Sequence, residues 1–252
     1  MTDLSARDES MKHERTKETS RTPHGARLED LNALLERARA APFYRDRLPA
    51  APLPSLAEFG RIPVTTKEDL RRNSPFGLVC APPEERYDYY ESFGTTGKPV
   101  SIWLSREDFM DTAREAASCG VNLRPGDVVL IRFPYAISQI AHVFHTAAHL
   151  RGACVIPASS RSLISPFPRV VHMMAELKVT VLACLPLQAI LLAETAELLG
   201  LVPGRDFPAL RAVCTACEPL PGPRKEMIEE LWQGPVFDFY GMTEIGTAAG
   251  DG

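Results

Sequence analysis

The sequence predicts an α/β fold, a largely parallel sheet with helices on both faces. Three observations carry that expectation. Downstream of residue 105, short apolar β-type runs alternate with segments of helical period. The strand starts recur about every 25–30 residues, the length of a strand plus its crossover helix. Finally, 252 residues with 45% hydrophobic and 24% charged side chains can bury a substantial core.

Taken in order, residues 1–27 are rich in Arg, Lys, Glu, Ser and Thr and show no period, so a disordered tail is expected. Residues 28–252 form the folded part. Leu28, Leu31, Leu34, Leu35 and Ala38 recur at helical spacing. A Pro-rich linker at 49–54 follows. Thr65-Thr66-Lys67-Glu68-Asp69 has the spacing of a capping box ahead of a short helix. The strand-like run at 100–104 makes the preceding Gly-rich loop a hairpin tip. Ser105 with Asp108 caps a helix ending near Gly120. Strands are then expected at 127–133, 154–157, 179–184, 211–215 and 236–239. Helices are expected at 137–150, 168–177, 187–199 and 223–231, the third stopped by Gly200.

Composition excludes several function classes. A net charge of −4 gives no reason to expect nucleic acid or an anionic membrane as partner. No apolar run approaches the ~20 residues of a membrane span, and no signal core opens the chain, so a cytoplasmic location is expected. Six cysteines are scattered, most in apolar strand-like contexts, and read as small buried hydrophobes. Cys214-x-x-Cys217 has no second pair, which favours core cysteines at a strand end over zinc or redox chemistry.

Two segments carry chemistry. Ser92-Phe93-Gly94-Thr95-Thr96-Gly97-Lys98 gathers glycines, hydroxyls and a lysine in one loop. Glycines let backbone N–H groups approach an anion, hydroxyls add donors and the lysine adds charge. The Walker spacing is absent and a strand, not a helix, follows. Downstream, Asp238-Phe239-Tyr240-Gly241-Met242-Thr243-Glu244 ends an apolar run. A ring there can stack on a base, a hydroxyl can hold a phosphate, and a carboxylate can hold Mg²⁺.

With both anchors present in this order, the chain resembles the adenylate-forming (AMP-binding) enzymes, and within them the phenylacetate–CoA ligase group. Ala41-Pro42-Phe43-Tyr44-Arg45, Ile62-Pro63-Val64-Thr65-Thr66-Lys67-Glu68-Asp69-Leu70-Arg71, Ser74-Pro75-Phe76-Gly77 and Glu218-Pro219 add to the likeness. The resemblance implies ATP-dependent activation of an aryl or other hydrophobic carboxylic acid to an acyl-adenylate, then thioester formation with CoA. It also implies ATP, Mg²⁺ and CoA as cofactors. Ser92, Gly94, Thr95, Thr96, Gly97 and Lys98 would hold the β- and γ-phosphates. Cys217, Glu218, Pro219, Asp238, Phe239, Tyr240, Gly241 and Met242 would frame the nucleotide. Thr243 would contact the α-phosphate as a catalytic group, and Glu244 would be catalytic and the Mg²⁺ ligand. Tyr135, Ala136 and His145 would line the acyl pocket.

Phe93 replaces a small polar residue of the group's loop, and Ala216-Cys217 replace Gly-Ala. His142, His145 and His149 share a helix face, where a half-buried polar face is expected over a metal site. Family members continue past the Tyr-Gly-x-Thr-Glu motif into a ribose-binding aspartate, a hinge and a small domain with a catalytic lysine. The expectation is therefore a truncated N-terminal AMP-binding domain whose C-terminal cap domain is absent. Rival expectations are a non-catalytic ATP-binding remnant, a split-enzyme subunit with a separate C-terminal domain, or an adenylation unit loading a carrier protein. A homodimer is also among the assemblies considered.

Overall fold

The computed structural model describes residues 27–92 and 97–250. The expected tail, apart from Arg27, and loop positions Phe93, Gly94, Thr95 and Thr96 lie outside the described residues. The leucine period becomes helix α1 (Leu28–Ala38), which buries Leu35. A short α2 (Pro42–Arg45) starts on a proline, whose fixed φ suits a first helical turn. The capping box forms as expected at α3 (Lys67–Asn73). Thr66 Oγ1 accepts from Asp69 N at 3.2 Å, and Asp69 Oδ2 accepts from Thr66 N at 2.9 Å.

Strands β1 (Arg86–Glu91) and β2 (Ser101–Ser105) pair antiparallel, with Tyr89 opposite Trp103 and Tyr90 opposite Ile102. The strands that flank the Gly-rich segment therefore form the expected hairpin. Its base is closed by Ser92, whose N–H donates to Val100 O and whose Oγ accepts from Val100 N, both at 2.9 Å. One face of the hairpin buries Tyr90 against Phe109 and Val143. Phe109 lies on α4 (Arg106–Ala117), opened by the expected Ser105–Asp108 capping box.

The remaining elements follow the alternation read from the sequence. They are β3 (Val128–Ile131), α5 (Gln139–Leu150), β4 (Cys154–Pro157), α6 (Phe167–Glu176), β5 (Val181–Cys184), α7 (Pro186–Leu198), α8 (Pro203–Asp206), β6 (Ala212–Ala216), α9 (Gly222–Trp232), β7 (Val236–Met242) and β8 (Gly246–Gly250). The strand order is β4-β3-β5-β6-β7-β8, parallel throughout except for the antiparallel β7–β8 pair. Alternate side chains divide the core between the two sheet faces. Leu130, Leu182 and Val213 pack with Val170, Leu192 and Ile228 of α6, α7 and α9. Val129, Val181 and Cys214 pack with Ala141, Phe144 and Ala148 of α5.

Three expectations change. The last predicted strand was to end at residue 239, but β7 runs on through Tyr240, Gly241 and Met242. β8 was not expected at all. Its small side chains carry no alternating pattern, and it forms because the turn at 243–245 folds it back onto β7. Of the six cysteines, only Cys184 and Cys214 are buried. Cys80 and Cys119 are half-buried, and Cys154 and Cys217 are exposed. Cys154 sits on the edge strand β4, and Cys217 sits in the turn leaving β6 at φ 72°.

The strands are pinned together at their amino ends. Asp127, just before β3, accepts from Arg211 Nε and Nη2 at 2.9 and 2.6 Å and from Thr180 Oγ1 at 2.8 Å. That lock leaves the carboxyl ends free to build a site. β4 and β5 lie on opposite sides of β3, so the crossovers diverge there, and sheets of this kind bind ligands outside the carboxyl ends of their strands. Among the described residues no helix is long and apolar enough to cross a membrane.

Candidate functional site

Beyond the carboxyl ends of β6 and β7 lies a cleft of about 410 Å³. Ser92, Cys217, Phe239, Tyr240, Gly241, Met242, Thr243 and Glu244 line it, so the two anchor segments meet across one space. Another cleft of about 440 Å³ lies among the prolines of 49–54 and residues 61–63, and no expected site residue borders it. The first cleft is therefore the candidate site.

Backbone geometry shapes its wall. A Cβ at Gly241 would stand 2.4 Å from Gly246 O, so only glycine lets β8 approach β7 there. Tyr240 is 62% exposed and offers an open ring face. Phe239 is buried and meets Phe144 edge-on at 5.4 Å. Glu244 is ion-paired with Lys67 through one carboxylate oxygen. Its other oxygen, Oε2, is buried without a hydrogen-bond partner among the described residues.

Among the described residues, the other expected positions do not line the cleft. Lys98 donates to Ser74 O at 3.2 Å. Asp238 accepts from the buried Thr215 hydroxyl at 2.6 Å. Glu218 Oε2 accepts from Leu187 N at 3.4 Å in the first turn of α7, a favourable place for a carboxylate. Gly97, Pro219 and Ala136 are likewise outside the lining.

Tyr135 and His145 are brought together, 3.1 Å from Oη to Nδ1. His142 Nε2 lies 2.9 Å from Tyr135 O, and a carbonyl can only accept, so that nitrogen carries the proton. Burial pushes the Tyr135 phenol up. Burial, with His149 and His142 adding to it, pushes the His145 imidazole down. Among the described residues no group of three or more His, Cys, Asp or Glu could hold a metal ion. Cys217 keeps surface open to solvent, yet the atoms packed around its thiol desolvate it and, with the Glu218 and Asp238 carboxylates, push it up to about 11, so it is neutral at pH 7.

Several lining residues were not singled out from the sequence: Lys67 and Arg71 of α3, Thr112 of α4, and Ser138 and Gln139 at the start of α5. Lys67 and Arg71 stand one helical turn apart, so the sequence places them on one face, but nothing local says what that face meets.

Residues 92–250 match the family described as AMP-binding enzyme. The chain belongs to that family. Among curated proteins, this AMP-binding enzyme is 30% identical over 213 residues to the phenylacetate-coenzyme A ligase of Thermus thermophilus, covering 81% of this chain and 46% of the relative. It is 29% identical to the enzyme of that name from Pseudomonas putida, with 81% and 47% covered. The chain thus spans about half the length of the curated relatives it matches. Among solved structures it resembles a 2-hydroxyisobutyryl-CoA ligase in an open conformation with 2-HIB-AMP and CoA. The TM-score is 0.77 at 29% identity, over 87% of this chain and 53% of that one. The same ligase in its thioesterification state gives 0.78 at 27% identity, over 97% and 51%.

Proposed function

We propose that this AMP-binding enzyme supplies the nucleotide- and acid-binding cleft of an acid–thiol ligase. The acid is an aryl or other hydrophobic carboxylic acid. One of its carboxylate oxygens attacks the α-phosphorus of ATP, and pyrophosphate leaves. The thiol of CoA then attacks the acyl carbon, and AMP leaves. One observation carries this reading: the turn joining β7 to β8 sets Thr243 and Glu244 in the same cleft as Ser92. Likeness to named CoA ligases supports CoA as the acceptor.

In this arrangement Tyr240 offers its exposed ring to the base, Thr243 its hydroxyl to the α-phosphate, and Ser92 a place beside the loop that meets the outer phosphates. Phe239 packs on Phe144 and Gly241 lets β8 close on β7, which sets this wall of the cleft; donors fixed in place before substrate arrives are a source of electrostatic stabilisation. Mg²⁺ fits the donor set. Mg²⁺ takes one or two carboxylates plus substrate phosphates, and Glu244 Oε2 is an acceptor with no other partner among the described residues. Bound there, the ion would neutralise phosphate charge.

The test is acid-dependent exchange of labelled pyrophosphate into ATP, run with aryl and aliphatic acids. Exchange that needs the acid, and that falls ~10²–10³-fold in Thr243→Val, is expected. Nucleotide binding without any acid-dependent exchange would favour a non-catalytic ATP-binding module.

A further inference from the structure

The first turn of α5 opens on the cleft with its polar groups unused. Ser138, the N-cap, makes no side-chain bond back to the helix, although serine is among the best capping residues. No acidic residue occupies the first turn of this 12-residue helix, whose amino end carries partial positive charge. Ser138 and Gln139 are 8% and 7% exposed. Neither side chain has a hydrogen-bond partner among the described residues. Both residues are largely buried, but their polar atoms are not sealed in the core, and the two residues line the cleft.

The approach to the helix is held in an unusual conformation. Ile137, a β-branched residue, sits at φ 62°, a region such side chains rarely adopt. Its carbonyl accepts from Glu91 N at 3.0 Å, which ties the start of α5 to the end of β1. Strain of this kind persists where the surroundings enforce it, and here it fixes where the helix terminus is.

We infer that Ser138 and Gln139, with the free N–H groups of the α5 first turn, bind the carboxylate of the acid substrate. This rests on the ligase reading above. The shared chemistry is an oxyanion, and two sources compete, the acid and the nucleotide phosphates. The neighbours favour the acid. Ile140, Val143 and Phe239 line the cleft beside the two polar residues. They suit a hydrocarbon body attached to the carboxylate and offer nothing to a polyphosphate. The serine hydroxyl and the glutamine amide supply uncharged donors, which orient a carboxylate without neutralising it, so it stays nucleophilic.

The experiment titrates phenylacetate, its neutral analogue phenylacetamide and, separately, ATP into the wild type and into Ser138→Ala, Gln139→Leu and Gln139→Glu, by calorimetry. Phenylacetate affinity should fall about 10-fold or more in Ser138→Ala and in Gln139→Leu, the scale of a lost hydrogen bond to a charged group. It should fall further in Gln139→Glu. Phenylacetamide and ATP should bind each variant within about twofold of wild type. Retained ATP affinity shows that a variant is folded, and Ser138→Ala carries the test if the changes at Gln139 unfold the chain. Equal phenylacetate affinity in wild type and variants overturns the inference, as does a parallel loss of phenylacetamide. Loss of ATP affinity with phenylacetate unaffected assigns the turn to the nucleotide and overturns it too. A wild type that binds ATP but no carboxylate sinks the inference and leaves the nucleotide site standing. Binding of neither sinks the ligase reading beneath it.

Discussion

Asp127→Asn tests the lock that frees the other end of the sheet for chemistry. Burial alone would push the Asp127 carboxyl up. The Arg211 guanidinium, the Thr180 hydroxyl and the Arg124 N–H outweigh it and hold the group at about 2, against an ordinary 3.8. The Asp127 side chain is only 3% exposed, so solvent screens this little. That gap corresponds to about 2.4 kcal/mol favouring the folded state. The folded value is depressed, so the stabilisation is present above pH 3.8 and is lost as pH falls toward 2. Asparagine keeps the shape and removes the charge. Asp127→Asn should therefore unfold about 5–10 °C below wild type at pH 7, using the ~2–4 °C per kcal/mol of a chain this size. The deficit should narrow as pH falls from 5 toward 3. Thermal unfolding by calorimetry across that range reads both effects. Asp127→Asn as stable as wild type at pH 7, or with a deficit constant down to pH 3, would show that the Asp127–Arg211 pair does not hold the strand ends together.

Gly241→Ala should cost ~1–3 kcal/mol, because the new Cβ meets backbone at Gly246 rather than a flexible side chain. Denaturant unfolding measures it, and a neutral variant would mean that β8 does not hold its place against β7. His145, whose imidazole is pushed below its ordinary 6.5, is charged more readily in the unfolded chain. Stability should therefore be complete above about pH 6.5 and decline as pH falls below it, and His145→Gln should flatten that part of the profile. Lys98→Ala should weaken ATP binding by ~1–3 kcal/mol if the lysine turns from Ser74 O to the phosphates. Unchanged affinity would leave Lys98 as a clasp on the hairpin base.

Most of the sheet was legible because each β-strand of a βα unit is short, apolar and bracketed by helix signals. Both capping boxes were readable because capping is local chemistry, as Thr66 with Asp69 and Ser105 with Asp108 show. β8 was not legible. Gly246-Thr247-Ala248-Ala249-Gly250 has little strand propensity and is recruited by its neighbour. In the site, Tyr240, Thr243 and Glu244 were readable from their motif. Their ion-paired and lining partners Lys67 and Arg71, and the unused donors Ser138 and Gln139, were not. Which surface a helix face or terminus meets is decided by packing between residues far apart in sequence. Cys217 looked like a core cysteine because it follows an apolar strand, but the chain turns at that residue and leaves it exposed.

We propose that the turn between β7 and β8 is a magnesium–nucleotide site. Calorimetric titration of ATP into wild type and Glu244→Gln, with and without Mg²⁺, tests it most directly. Glutamine keeps the size and removes the charge. It also releases Lys67 from its ion pair, which favours any anion nearby. Mg²⁺-dependent ATP binding should fall in Glu244→Gln while Mg²⁺-free binding stays level or tightens. Equal loss under both conditions, or no ATP binding by the wild type at all, would contradict it.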